Sequence, residues 1–415
     1  MREGKVSMRI IDLFSGAGGL TFGFYYKTKG NAFVRNRKNS FVFANEYDSH
    51  AAEAFKKNFS DILMLNQDIK TLGYEQVQGL IGNDPVDVII GGPPCQPFST
   101  VGQRIYNEKA LLYEEYLRIL EIARPKIFLF ENVKGLLSMR EVFYTRDDNG
   151  NIMYENIKNE ETGRERKKPI IAGYGRKLID IIEEKFGNID KKLGYKIYKE
   201  VLNAVDYGVP ENRERVFIVG IRNDLNIQWS FPVGSKQDRI SVIDAISDLP
   251  VVNEGQCVTE YTREPNNAYQ QLMRRNSHSL TCHYCGIYGE KIRTVIKNVK
   301  QGQGKDDFNE LVDQGLIDQR FRLTSGYPNT YGRLIESLPC TTITNNLSTP
   351  SGLRCIHYSQ DRALTPREGA RIQSVPDWFQ FDGDKENVTT QIGNAVPPLL
   401  AMALSKQISH VLKGS

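Results

Sequence analysis

The chain has 415 residues, of which 40% are hydrophobic and 25% charged, with 35 Gly and 17 Pro. This composition excludes collagen-like, disordered and disulfide mini-protein classes, and at roughly 150 residues per domain it predicts two to three domains. Lys and Arg number 54 against 50 Asp and Glu, a formal net charge of +4, which permits a polyanionic partner without indicating one.

The N-terminal residues reach a strand-and-glycine pattern almost at once, with no apolar leader, and no apolar run approaches the roughly 18 residues of a membrane span. The expectation is a soluble, cytoplasmic protein without a membrane partner. From Met8 to about Ile221 short β-rich runs alternate with helical patterns: MRIIDLF, FVFANEY, VDVIIGG, KIFLFENV, YKIYKEVLNA and RVFIVGI. That alternation predicts an α/β fold on a doubly wound, mostly parallel sheet. Between the third and fourth runs Tyr113, Leu117, Leu120 and Arg124 keep helical spacing, and Pro125 stops the helix.

Residues from about 140 to 170 are polar, charge-dense and aperiodic, and read as a surface excursion. From about Asn223 to Cys355 turn formers mix with Arg, Lys, Asn and Tyr, which suggests a second, smaller and irregular domain. After Thr365 a helical pattern resumes, and behind Pro397 and Pro398 the residues Leu400, Leu404, Ile408 and Val411 share a face that needs a partner surface. The expected division is 1–225, with the polar insertion at about 140–170, then 226–355, then a C-terminal segment, 356–415, that returns to the first unit.

Candidate chemistry begins where the first strand enters Asp12-Leu13-Phe14-Ser15-Gly16-Ala17-Gly18-Gly19. A glycine-rich turn between strand and helix admits a nucleotide-like ligand or is simply a tight turn, and its spacing is not the dinucleotide fingerprint. Glu46 and Asp68 follow at expected strand ends, where a carboxylate can accept ribose hydroxyls or an exocyclic amine, or can cap a helix.

Gly91-Gly92-Pro93-Pro94-Cys95-Gln96-Pro97 follows the apolar run VDVII and puts a cysteine in a proline-bracketed loop at the carboxyl edge of the sheet. Glu131 closes the next strand beside it; alone it is a capping acid, but a buried carboxyl there can stay protonated and, next to a nucleophile, becomes a candidate general acid. Arg213 and Arg215, at period two, would present two guanidiniums on one side of an extended chain. Six cysteines, at positions 95, 257, 282, 285, 340 and 355, make no disulfide framework. Cys282, His283 and Cys285 with His278 hint at zinc, but a second cysteine pair is missing and no metal is expected.

Together, and in this order, DLFSGAGG, Glu46, Asp68, GGPPCQPFS, ENV, ENRERVFIVG, LTPREGARIQSVPD and QIGNAVPP resemble the blocks of the C5-cytosine DNA methyltransferases of bacterial restriction-modification type. The match spans both ends and all but the middle. It implies that S-adenosylmethionine is the cofactor, with Phe14 on its adenine, Glu46 on its ribose and Asp68 on its amine. Gly16, Gly18 and Gly19 would lie beneath it, and Tyr47, Ile69, Pro94, Asn394 and Ala395 would complete the pocket.

The resemblance further implies Cys95 as nucleophile, Glu131 on the N3 and N4 edge of cytosine, and Arg213 and Arg215 on the O2 side and the cysteine loop. The base must leave its stack for the cysteine to reach C6. The loop after Cys95 is then an expected lid, with Gly102 as hinge and Gln103 or Arg104 filling the vacated space. Residues 226–355 would read double-stranded DNA, with Thr341 and Thr342 near their border. An enzyme acting on transfer RNA shares the catalytic blocks, but about 130 residues intervene here where that branch generally has a small region. The family also implies a monomer and a partner restriction endonuclease acting on the same site.

Overall fold

The computed structural model describes residues 8–94, 111–158, 165–189, 194–237 and 239–413. Seven strands form one sheet: β1 (Met8–Leu13), β2 (Asn39–Glu46), β3 (Met64–Asn66), β4 (Val88–Gly91), β5 (Ile127–Val133), β6 (Tyr195–Asn203) and β7 (Glu214–Arg222). Their spatial order is β6-β7-β5-β4-β1-β2-β3. The five strands β5-β4-β1-β2-β3 pair in parallel, whereas β7 runs antiparallel to both β5 and β6. The physical reason is the link: β6 and β7 are joined through a 3-10 turn at Ala204–Tyr207 and a short extended piece at Glu211–Asn212, with no crossover helix, so they fold back on each other.

Alternation along the strands fills both faces. Ile11, Leu13, Phe43, Ile89, Phe128, Phe130, Val216 and Ile218 pack on one side under α3 (Tyr74–Ile81), α4 (Leu112–Ala123) and α5 (Leu178–Gly187). In α4 the buried stripe is Tyr113, Tyr116, Ile119 and Leu120, and Tyr116 donates to the carbonyls of Ile89 (3.2 Å) and Leu129 (3.1 Å). Leu117 is half-buried, and Arg124 leaves the helix in the left-handed region at φ 45°.

Ile10, Val88, Ile90, Ile127, Leu129, Phe217 and Val219 fill the other side under α1 (Gly19–Tyr25) and the C-terminal helix Pro398–Lys413. Leu400, Leu404 and Ile408 of that helix are fully buried there, joined by Leu412, while Val411 is half-buried at the edge. The contact is close because α1 carries Gly23: a Cβ at that position would lie 2.2 Å from the Ala401 carbonyl carbon.

Residues beyond Arg222 share a core with α1 and α2 (Ser49–Asn58). Val242, Leu249, Tyr269, Met273, Ile343 and Leu347 join Phe22, Phe55 and Phe59 in one buried cluster, and a small cluster of Val295, Val299, Phe308, Val312 and Leu323 lies apart from it. Buried charges tie this region to the block after Thr365. Arg371 pairs with Asp248 and Asp377 at 2.6 Å each, and Arg362 grips both oxygens of Glu368 at 2.7 and 2.6 Å.

The stretch read as an aperiodic excursion is a two-stranded ribbon. Arg140–Tyr144 pairs antiparallel with Ile171–Lys177, and Tyr154–Lys158 with Glu165–Pro169. No helix among the described residues is long and apolar enough to cross a membrane.

Candidate active site

Parallel strands deliver their carboxyl ends to one edge, so strand order decides which side chains meet. Along that edge lie Asp68 after β3, Glu46 at the end of β2, Asp12 and Phe14 at the end of β1, Gly92-Pro93-Pro94 after β4 and Glu131 near the end of β5. Antiparallel β7 begins there with Glu214 and Arg215. With Thr342, Ile343, Thr344, Asn345, Asn394 and Ala395 they line an open cleft of about 1460 Å³, room for a nucleoside-sized ligand and a base together.

One half of the cleft is acidic. Glu46 accepts from the backbone N–H groups of Gly16 and Asp48, both at 2.8 Å, and burial pushes its carboxyl above the ordinary range while those bonds pull it back. Asp12 is fully buried, holds the Thr21 hydroxyl with one oxygen and has no partner for the other. Burial pushes its carboxyl up to about 8, with the Thr21 bond opposing. Asp68 is half-buried and accepts from the Lys70 N–H at 3.0 Å, which makes it a cap as well as a cleft residue. Ile69 is buried on the cleft wall, and Tyr47 stands 76% exposed at its mouth.

Backbone conformation shapes the same half. Phe14 has φ 57°, which is unusual for a bulky side chain and marks a constrained turn. Gly18 has φ 98°, and a Cβ there would lie 2.3 Å from the Phe59 ring. A Cβ on Gly19 would lie 2.6 Å from the Val396 carbonyl, so the glycine turn is jammed against the last block of the chain. Gly18 serves packing and does not line the cleft.

The other half is built around Glu131. Its Oε1 lies 3.1 Å from Arg215 Nε, with both side chains only 12% exposed. Burial raises the Glu131 carboxyl, and the nearby guanidiniums of Arg215 and Arg213 draw it down. Gly92 leaves the space it needs: a Cβ there would be 2.7 Å from Glu131 Oε2. The next residue, Asn132, is buried and donates to the Pro93 carbonyl at 3.1 Å, pinning the turn that leads to Cys95. Cys95 itself, with Gly102, Gln103 and Arg104, lies outside the described residues.

Arg213 does not join Arg215 in the cleft. It is fully buried and donates to the carbonyls of Ile343 (2.9 Å) and Gly393 (2.6 Å), with Glu211 at 3.4 Å. Glu211, also fully buried, accepts from the Ile343 N–H at 2.6 Å. The period-two reading fails because the backbone bends before β7, where the Arg213 N–H donates to the Glu211 carbonyl. Thr341 pairs with Asn212 in a short parallel bridge, and the Thr342 hydroxyl donates to the Asn212 carbonyl at 2.8 Å.

Sequence reasoning gave no role to Asp12, Asn132 and Glu211. All three stood inside recognised blocks, and nothing marked Glu211 as buried. Among the described residues no group of three His, Cys, Asp or Glu is placed to hold a metal. His283 spends its ring nitrogens on Thr365 Oγ1 and the Pro250 carbonyl, both at 2.9 Å.

The family model for C-5 cytosine-specific DNA methylases matches residues 8–160 and 170–410. Type II methyltransferase M.DdeI of Desulfomicrobium norvegicum is 34% identical over 97% of this chain and 88% of its own length. Type II methyltransferase M.AgeI of Thalassovita gelatinovora is 31% identical over 97% and 99%. Among solved structures, the Entamoeba histolytica methyltransferase EhMeth superposes with a TM-score of 0.56 at 13% identity, covering 98% of this chain and 99% of that one, a likeness of fold.

Proposed function

Because the chain belongs to the C-5 cytosine-specific DNA methylases and is therefore a DNA cytosine-5-methyltransferase, we propose that the described cleft holds both the methyl donor and the flipped cytosine. The donor half is the acidic one. S-adenosylmethionine carries hydroxyls, an amine, a sulfonium and an ammonium; Glu46 and Asp68 offer carboxyl oxygens to them, and Asp12, neutral below about pH 8, offers an unpartnered buried oxygen. Phe14, Gly16, Gly19, Tyr47, Ile69, Pro94, Asn394 and Ala395 line the same cleft, and Gly18 supports the turn from behind. Bound there, S-adenosylmethionine supplies an electrophilic methyl group.

The base half is Glu131 with Arg215, and its juxtaposition with the braced Pro93-Pro94 turn is the observation that carries this reading. In the family's covalent mechanism a cysteine thiolate adds to C6 and electron density moves to C5; here Cys95 is that cysteine. Glu131, whose carboxyl burial raises against the pull of Arg215 and Arg213, is the group placed to donate a proton to N3 as charge develops there. Arg215 orients that carboxyl. Once the methyl group is on C5 and the donor has left as S-adenosylhomocysteine, loss of the C5 proton to water restores the double bond and expels the Cys95 sulfur as thiolate, while the N3 proton returns to Glu131. The base is reached only outside its stack.

We assign 1–225 to catalysis and donor binding, 226–355 to target recognition and 356–415 to a return segment that closes the cleft. Arg213 acts at their junction as a positioning residue. The Type II names of the relatives support a protective role beside an endonuclease that cuts the same site; that the enzyme acts as a monomer is part of the proposal. A duplex carrying 5-fluorocytosine at the modified position tests the chemistry. With donor present it should become irreversibly joined to the wild type and not to Cys95→Ala; no adduct with the wild type sinks the assignment.

A further inference from the structure

Among its described residues, the ribbon between Arg140 and Lys177 has no core of its own. Phe143, Tyr154 and Tyr174 are 56%, 55% and 63% exposed, and it packs in neither of the two hydrophobic faces of the sheet. An isolated two-stranded ribbon is marginal in water, and both of its edges carry unpaired backbone groups. Its root is the cleft rim: Lys134, Gly135 and Ser138 line the cleft just before the first ribbon strand begins.

Two ladders join into one arm through bonds from Thr145 N–H to the Ile170 carbonyl and from Ile170 N–H to the Met153 carbonyl. The outgoing ladder residues, 140–145 and 153–158, span at most about 40 Å at roughly 3.3 Å per residue, about one turn of duplex DNA. On one face of the outer ladder Tyr154, Asn156 and Lys158 stand opposite Pro169, Lys167 and Glu165, and Lys168 lies on the other face. Glu165 and Glu155 stand opposite Lys158 and Lys168; Tyr, Asn and Lys are side-chain types that can hydrogen-bond to base edges or phosphates, and a two-stranded ribbon is an element that the major groove admits. The family match omits residues 161–169, which include the returning strand Glu165–Pro169.

We propose that this ribbon is a second DNA-contacting arm that grips duplex flanking the target, beyond the segment 226–355. The proposal rests on the reading that duplex DNA enters the cleft, and the arm's root at the cleft rim makes its surface continuous with that interface. The occupant is duplex DNA.

The test uses full-length protein and two duplexes built around the target cytosine mapped by bisulfite sequencing, one of about 12 base pairs and one extended by about a helical turn on each side. The triple variant Lys158→Glu, Lys167→Glu and Lys168→Glu should bind the extended duplex at least tenfold more weakly than wild type and the short duplex equally. Its salt dependence on the extended duplex should lose about two to three units of slope, near 0.9 per phosphate contact. Replacing residues 146–169 by an Asn-Gly turn should give the same pattern. Equal affinity of variant and wild type for the extended duplex overturns the arm, as does equal loss on both duplexes or a change in oligomeric state alone. Wild type failing to methylate either duplex would overturn the parent reading instead.

Discussion

Arg215 and Glu131 are diagonal neighbours on adjacent antiparallel strands: Arg215 sits opposite Val133 and Glu131 opposite Phe217, yet the guanidinium reaches back two residues to 3.1 Å from the carboxyl. Burial raises that carboxyl and the guanidinium lowers it, so the pair sets how long Glu131 stays protonated as pH rises. In wild type kcat/KM should fall above the raised Glu131 value. Arg215→Ala removes the lowering influence and should shift that descending limb to higher pH while reducing the rate. Glu131→Gln should cost about 10²-fold or more and lose the limb. Rate profiles from pH 6 to 10 check this; an unmoved limb in Arg215→Ala would remove Glu131 from the titration.

Cys95→Ala should abolish methylation and leave specific DNA binding measurable, because the nucleophile contributes to bond making and not to reading sequence. Filter binding and methyl incorporation on one duplex separate the two. Retained turnover would exclude a covalent route through this residue.

Arg213 and Arg215 should behave oppositely. Arg213→Ala strips the partner from fully buried Glu211 and should cost about 3 to 5 kcal/mol of stability, whereas Arg215→Ala, at the cleft, should change Tm little and the rate strongly. Chemical denaturation with single-turnover rates distinguishes them, and similar stability losses for both would place Arg215 in the framework.

Asp12 links the donor pocket to pH. Its folded value of about 8 lies above the ordinary 3.8, so the native state holds a proton that the unfolded chain has released. That contribution to stability is complete below about pH 4 and is lost as pH rises towards 8. The Tm of unliganded wild type should therefore fall across this window more steeply than that of Asp12→Asn; parallel curves would mean that Asp12 is ionised in the fold.

The order of blocks along the chain was enough to foresee the sheet and the carboxyl-edge cleft, because strand ends at Asp12, Glu46, Gly92 and Glu131 carry their chemistry in the sequence. Three features were not legible, each for a physical reason. The ribbon shows no hydrophobic alternation because it buries no face. The burial of Arg371, Asp248 and Asp377 leaves no local sign, since nothing in the flanking residues reveals that distant partners neutralise them in the interior. Arg213 and Arg215 diverge because a backbone bend, invisible in residue type, turns one inward and leaves the other at the cleft.

The close seating of Ala401 on Gly23 and the burial of Leu400, Leu404 and Ile408 against β1, β4, β5 and β7 have a consequence for biosynthesis. The part of that side which α1 does not cover stays wet until the helix Pro398–Lys413 has emerged from the ribosome. The sheet, although translated before this helix, is therefore finished only when the helix arrives.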